Sequence, residues 1–131
     1  MIEFKNTTPM LKTDDIQATV DFYTKVLGFT IDTLWPEDQP TLCILDRGNV
    51  HLMFSTDADW DAPGANPTMT GQLVFDVNDV SKLHKSLEGK VKVLWGPQVY
   101  EYGRREFSIM DPNGYRLVFS EPTQEPATYK G

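Results

Sequence analysis

Apolar residues recur along this chain at two periods, and the switches between them predict its elements. After Asp14 and Asp15, the residues Ile16, Val20, Tyr23 and Leu27 fall at helical spacing and Gly28 closes the run, which predicts an amphipathic helix over 16–27. Asn78 and Asp79 open a second stripe of Val80, Leu83 and Leu87 that Gly89 ends, predicting a helix over 79–88. Elsewhere the period is two, predicting strands over 7–12, 30–34, 42–45, 50–54, 73–77, 91–94, 106–110 and 115–119. Turn formers separate them, Arg47-Gly48-Asn49 in one hairpin and Pro112-Asn113-Gly114 in another.

In order, these elements read β-α-β-β-β twice, and the repeat is visible in the residues themselves. ILDRGNVHLMFS (44–55) aligns without gaps on IMDPNGYRLVFS (109–120), with identity at five of twelve positions. Asp15 corresponds to Asp79 and Leu11 to Phe75. The expectation is an α+β fold in a single domain, 1–131: module one over 1–56, a loop over 57–69 rich in Pro, Gly, Asn and Asp, module two over 70–121, and a tail over 122–131. The tail lacks periodicity and is expected to fray or to pack against a partner.

Each module should form a four-stranded sheet with a helix on one face, and parity assigns the faces. Leu52 and Phe54, Leu73 and Phe75, and Tyr115, Leu117 and Phe119 should lie under the helices. The opposite faces would then carry Thr8, Met10, His51 and Met53 from one module and Gln72, Val74, Arg116 and Val118 from the other. Two such curved sheets side by side would line a pocket with these residues.

Composition narrows the partners. The chain has 12 Lys and Arg against 19 Asp and Glu, a formal net charge of −7, which disfavours nucleic acid and anionic membranes. No apolar run is long enough to span a bilayer. A lone cysteine, Cys43, cannot form an internal disulfide, and no charged-then-apolar leader precedes the first strand, so a cytoplasmic location is expected. No Gly-rich phosphate loop, nucleophile elbow or zinc-protease motif occurs, His84 reads as a solvated helix residue and Cys43 as a small buried hydrophobe.

The strings MLKTDDIQATVDFYTKVLGF, RGNVHLMF, GQLVFDVNDV and FSIMDPNGYRLVFSEP, with their FYxxVLGF and DPNG motifs, resemble the vicinal oxygen chelate superfamily over residues 7–121. That group includes glyoxalase I, extradiol dioxygenases, fosfomycin-inactivating enzymes and bleomycin-resistance proteins. The resemblance implies paired βαβββ modules forming a curved mixed sheet with a pocket. Enzymes of the family hold a divalent metal with one residue from the first and one from the last strand of each module, positions that fall here on Thr8, Met53, Gln72 and Val118. A thioether and an isopropyl group cannot hold a hard cation, so the resemblance implies a member without a metal or other cofactor and without catalytic residues. It points to the bleomycin-resistance group, in which a homodimer sequesters a large cationic antibiotic. Pro9 removes one ladder hydrogen bond from the first strand and is compatible with the arm exchange of some family dimers.

Several side chains suit a cationic or aromatic small-molecule ligand. Trp35 adjoins Glu37 and Asp38, Trp60 adjoins Asp57, Asp59 and Asp61, and Trp95 ends a strand near Tyr100 and Tyr102. Rings beside carboxylates can stack a flat cation while its charge is neutralised. Arg116 on the pocket face needs a partner, either Glu106 across the hairpin or an anionic group of a ligand. Arg104 and Arg105 follow YEYG in a loop that either covers the pocket or solubilises the surface. The expected ligand-binding set is therefore Trp35, Trp60, Trp95, His51, Met53, Gln72, Tyr102 and Arg116. Two alternatives stay open: a metal-dependent glyoxalase-like lyase, isomerase or dioxygenase, and a recognition module with no drug ligand.

Overall fold

A computed structural model describes residues 1–56 and 66–129, so Trp60 and its acidic neighbours lie outside the described residues. The chain folds as two compact units, Met1–Pro67 and Thr68–Gly131.

The first unit runs β1 (Met10–Lys12), α1 (Ile16–Asp21), a π-helical turn (Phe22–Val26), β2 (Thr30–Trp35), β3 (Leu42–Arg47) and β4 (Val50–Ser55). Its sheet order is β1-β4-β3-β2, with β1 parallel to β4 and the other pairs antiparallel. Asp15 caps α1, its Oδ1 accepting from the Ala18 N–H at 2.9 Å. The helix does not continue as α over 16–27. From Phe22 it widens, with Leu27 N–H reaching back to the Phe22 carbonyl at 3.2 Å, which keeps both Tyr23 and Leu27 buried. Tyr23 sits 5.1 Å from the Phe54 ring and 5.5 Å from Phe29, forming the centre of this core. Truncating such a fully buried ring costs about 3–5 kcal/mol.

The second unit repeats the plan: β5 (Leu73–Asp76), α2 (Val80–Ser86), β6 (Val93–Tyr100), β7 (Arg104–Met110) and β8 (Arg116–Pro122). Its sheet order is β5-β8-β7-β6, again with the first pair parallel. Asp79 caps α2 as Asp15 caps α1, accepting from the Lys82 N–H at 3.0 Å. Phe107 and Phe119 pack at 5.1 Å on the helix side of the sheet. His84 is half-buried rather than solvated, because α2 sets its ring edge-on to Phe107 at 5.1 Å.

In the first unit β1 begins at Met10 rather than at 7 and α1 ends at Asp21, and three more differences from the sequence reading lie in the second unit. Gly96-Pro97 does not end β6; the strand passes through them with shifted register and continues to Tyr100. Arg104 and Arg105 consequently belong to β7 rather than to a loop. The described part of the tail, 122–129, is tied to β6, since Thr128 and Tyr129 N–H groups donate to the Val99 carbonyl at 2.8 and 3.1 Å and the Val99 N–H donates to Thr128 Oγ1 at 2.8 Å. Among the described residues, no helix is long and apolar enough to cross a membrane.

Candidate ligand-binding face

Strand parity separates two chemistries on the second sheet. Phe75, Phe107, Ile109, Leu117 and Phe119 are buried, and the ring contacts among Phe75, Phe107, Phe119 and His84 place them under α2. The alternate positions of β5, β8 and β7, including Asp76, Ser120, Val118, Arg104, Glu106 and Ser108, form the opposite face. Register brings β6 onto it, with Tyr100 beside Arg104, Gln98 beside Glu106 and Trp95 beside Ser108.

That arrangement depends on Gly96. Two residues of β6 bulge between the Trp95 and Gln98 pairings, and a Cβ on Gly96 would overlap the Glu106 carbonyl oxygen and stand 2.9 Å from the Phe107 Cα. Only a residue without a side chain lets the two strands approach so closely, here at φ +80°.

The bulge concentrates aromatic rings. Trp95 and Tyr100 meet edge to face at 5.7 Å, Tyr102 stacks on Tyr100 at 5.7 Å, and Tyr129 from the tail lies 5.0 Å from Tyr100. Beside them the Tyr102 hydroxyl donates to Glu106 Oε1. Glu106 is only 7% exposed, whereas Tyr102 is 65% exposed. Burial of the hydroxyl and its bond to Glu106 push the Tyr102 pKa up to about 12, and burial and the Glu106 charge raise that of Tyr100.

Cations on the sheet are spent elsewhere. Arg104 pairs with Asp76 and donates from Nε to Ser120 Oγ at 2.6 Å. Arg105 pairs with Glu121 at 3.5 Å and with Glu125. Arg116 is exposed and lies opposite Met110, while Glu106 lies opposite Ser120, so register denies the expected Arg116–Glu106 pair. Ser108 Oγ is fully buried with no hydrogen-bond partner among the described residues.

Of the expected ligand-binding residues, Trp95 and Tyr102 come together, bridged by Tyr100, and both Tyr100 and the tail's Tyr129 went unranked in the sequence. Gln72 precedes β5 and is exposed, and Arg116 stands at the far end of β8. In the first unit Trp35 is 63% exposed at the end of β2, Met53 is half-buried, and His51 is engaged across the β3–β4 ladder, its Nδ1 2.7 Å from Asp46 Oδ1. An open groove of about 560 Å³ in that unit lies on the helix side, between α1 and β2, and none of these residues lines it.

The positions that would hold a family metal do not fit one. Met53 and Val118 pair in register with Met10 and Val74, both apolar, while Thr8 and Gln72 precede their strands. Threonine hydroxyl, thioether, carboxamide and isopropyl offer no anionic ligand to a hard divalent ion. Among the described residues, no three His, Cys, Asp or Glu side chains converge to hold a metal.

Comparison with known proteins agrees with this architecture. The chain is similar to a glyoxalase/bleomycin resistance protein/dioxygenase from Nocardioides (17% identity, TM-score 0.72, covering 100% of this chain and 92% of that one). It is also similar to a superfamily member from Sphaerobacter thermophilus (18% identity, TM-score 0.75, covering 92% and 99%). A third similar structure is the bleomycin-binding protein of Streptomyces verticillus complexed with copper(II)-bleomycin (22% identity, TM-score 0.64, covering 95% and 100%). No curated protein matches the chain in sequence. Because the family model matches residues 7–119, most of its length, the chain belongs to the Glyoxalase/Bleomycin resistance protein/Dioxygenase superfamily.

Proposed function

We propose that this protein binds a cationic, aromatic small molecule and sequesters it without transforming it and without a divalent metal. The observation that carries this reading is the cluster of Trp95, Tyr100, Tyr102 and Tyr129 beside the buried Glu106. Rings hold a flat cation by stacking and by the attraction of their π faces, and a carboxylate neutralises its charge. A net charge of −7 draws such a ligand from a distance. Similarity to a bleomycin-binding protein complexed with copper(II)-bleomycin supports an antibiotic as the ligand, and we propose further that the protein acts as a cytoplasmic homodimer. The unsuitable donors at Thr8, Met53, Gln72 and Val118 argue against the metal-dependent enzyme.

Titrating the protein with bleomycin and with planar aromatic cations, followed by tryptophan fluorescence and calorimetry, tests this reading. Saturable binding, with the ligand recovered unchanged, is the expected result. Conversion of the ligand, or binding that needs stoichiometric divalent metal, would move the assignment to the enzymes.

A further inference from the structure

Glu106 is a buried acid whose neighbours leave it half-used. Its Oε1 accepts from the Tyr102 hydroxyl, and no cationic side chain among the described residues pairs with it. Arg104, two positions away on the same face, is drawn to Asp76 and Ser120, and Arg105 points to the other face. A carboxylate withdrawn from water without a counter-ion is costly, so the face carries an unmet demand for positive charge.

A second unmet demand adjoins it. Ser108 is the next residue of β7 on this face, about 7 Å along the strand from Glu106, and its hydroxyl is wholly buried without a partner. A buried hydroxyl normally finds one, and an orphan asks what group completes it. Trp95 lies directly across the ladder from Ser108, so ring and hydroxyl belong to the same face.

Resting on the ligand-binding reading above, we infer that Glu106 and Ser108 form the polar anchor of this face, and that they select a cation carrying N–H hydrogens, a protonated amine or an amidinium, over a quaternary ammonium. An ammonium offers up to three donors, enough for the second carboxylate oxygen and the Ser108 hydroxyl together. A trimethylammonium offers none and keeps only the attraction of the rings and the charge. Tyr102 acts as a latch, holding Oε1 in place from the exposed side while Oε2 receives the ligand.

The test uses two matched probes, 2-naphthylmethylammonium and its N,N,N-trimethyl derivative, titrated into the full-length protein with tryptophan fluorescence and calorimetry as readouts. The primary amine is expected to bind about tenfold more tightly, the worth of a charge-assisted hydrogen bond. Glu106→Gln should bring it down to the level of the trimethyl probe, and Ser108→Ala should narrow the preference several-fold. Tyr102→Phe, which keeps the ring and the carboxylate but removes the latch, should narrow the preference less than Glu106→Gln does, so the outcome does not hang on one variant. Equal affinity for the two probes in the native protein would overturn the selection while leaving the cationic-ligand reading standing. Binding of neither probe, together with no binding of bleomycin, would overturn both.

Discussion

The Tyr102 hydroxyl donates to Glu106 Oε1 four positions along the chain, tying a 65% exposed side chain to a carboxylate that is 7% exposed. Its consequence is an alkaline one. The fold favours the protonated phenol, raising its pKa from 10.0 to about 12. The stabilisation is therefore fully present below pH 10 and is lost as pH rises through about 12. Tyrosinate absorbance should show a component titrating near pH 12 that is lost in Tyr102→Phe. If Tyr102 titrates at the ordinary value, the bond to Glu106 is not made in solution.

Gly96 and Gly48 both have positive φ, at +80° and +57°, but only Gly96 faces a backbone atom, the Glu106 carbonyl oxygen. Gly48→Ala should cost about 1–2 kcal/mol, the strain of the left-handed region. Gly96→Ala should cost more, about 3 kcal/mol or above, because the bulge must also open. Urea unfolding of the two variants checks the ranking, and equal losses would contradict the close approach.

Arg104 joins two residues of opposite exposure, since the Asp76 side chain is 83% exposed and Ser120 is fully buried. Asp76→Ala removes only a surface pair and should cost under about 1 kcal/mol. Arg104→Ala leaves the Ser120 hydroxyl buried without its donor and should cost about 1–3 kcal/mol. Equal small losses in thermal unfolding would show that the Ser120 bond contributes nothing.

Equivalent aspartates of the repeat do different work. Asp111, 4% exposed, accepts from the N–H groups of Asn113 and Tyr115 at 2.9 and 2.8 Å and fixes the turn before β8. Asp46, at the matching place in the first unit, faces His51 across the ladder instead. Asp111→Ala should therefore destabilise by about 2–4 kcal/mol and Asp46→Ala by about 1 kcal/mol or less. Chemical denaturation of both variants decides it.

The repeat made the architecture legible, because Asp15 and Asp79 each cap a helix and each four-stranded sheet follows the same order. The site was legible only in part. Trp95 and Tyr102 were visible as rings in sequence, but the period-two run there ends at 94, so Tyr100 and Arg104 fell outside the strands that hold them. Local propensity cannot show that a neighbouring strand will accommodate a bulge. Glu106 offered one usable signal, an acid on the same strand parity as Ser108 in the otherwise apolar EFSIM run, yet it was read only as a counter-ion for Arg116. Tyr129 lay in a tail with no period, and its place depends on hydrogen bonds to Val99 that no pattern encodes.

Calorimetric titration of chelator-treated protein with a planar aromatic ammonium separates metal-free sequestration from metal-dependent binding. Saturable binding is expected to survive complete removal of divalent metal and to weaken at least about tenfold in Glu106→Gln. Binding that appears only when divalent metal is restored, or that is untouched by Glu106→Gln, would contradict metal-free sequestration through Glu106.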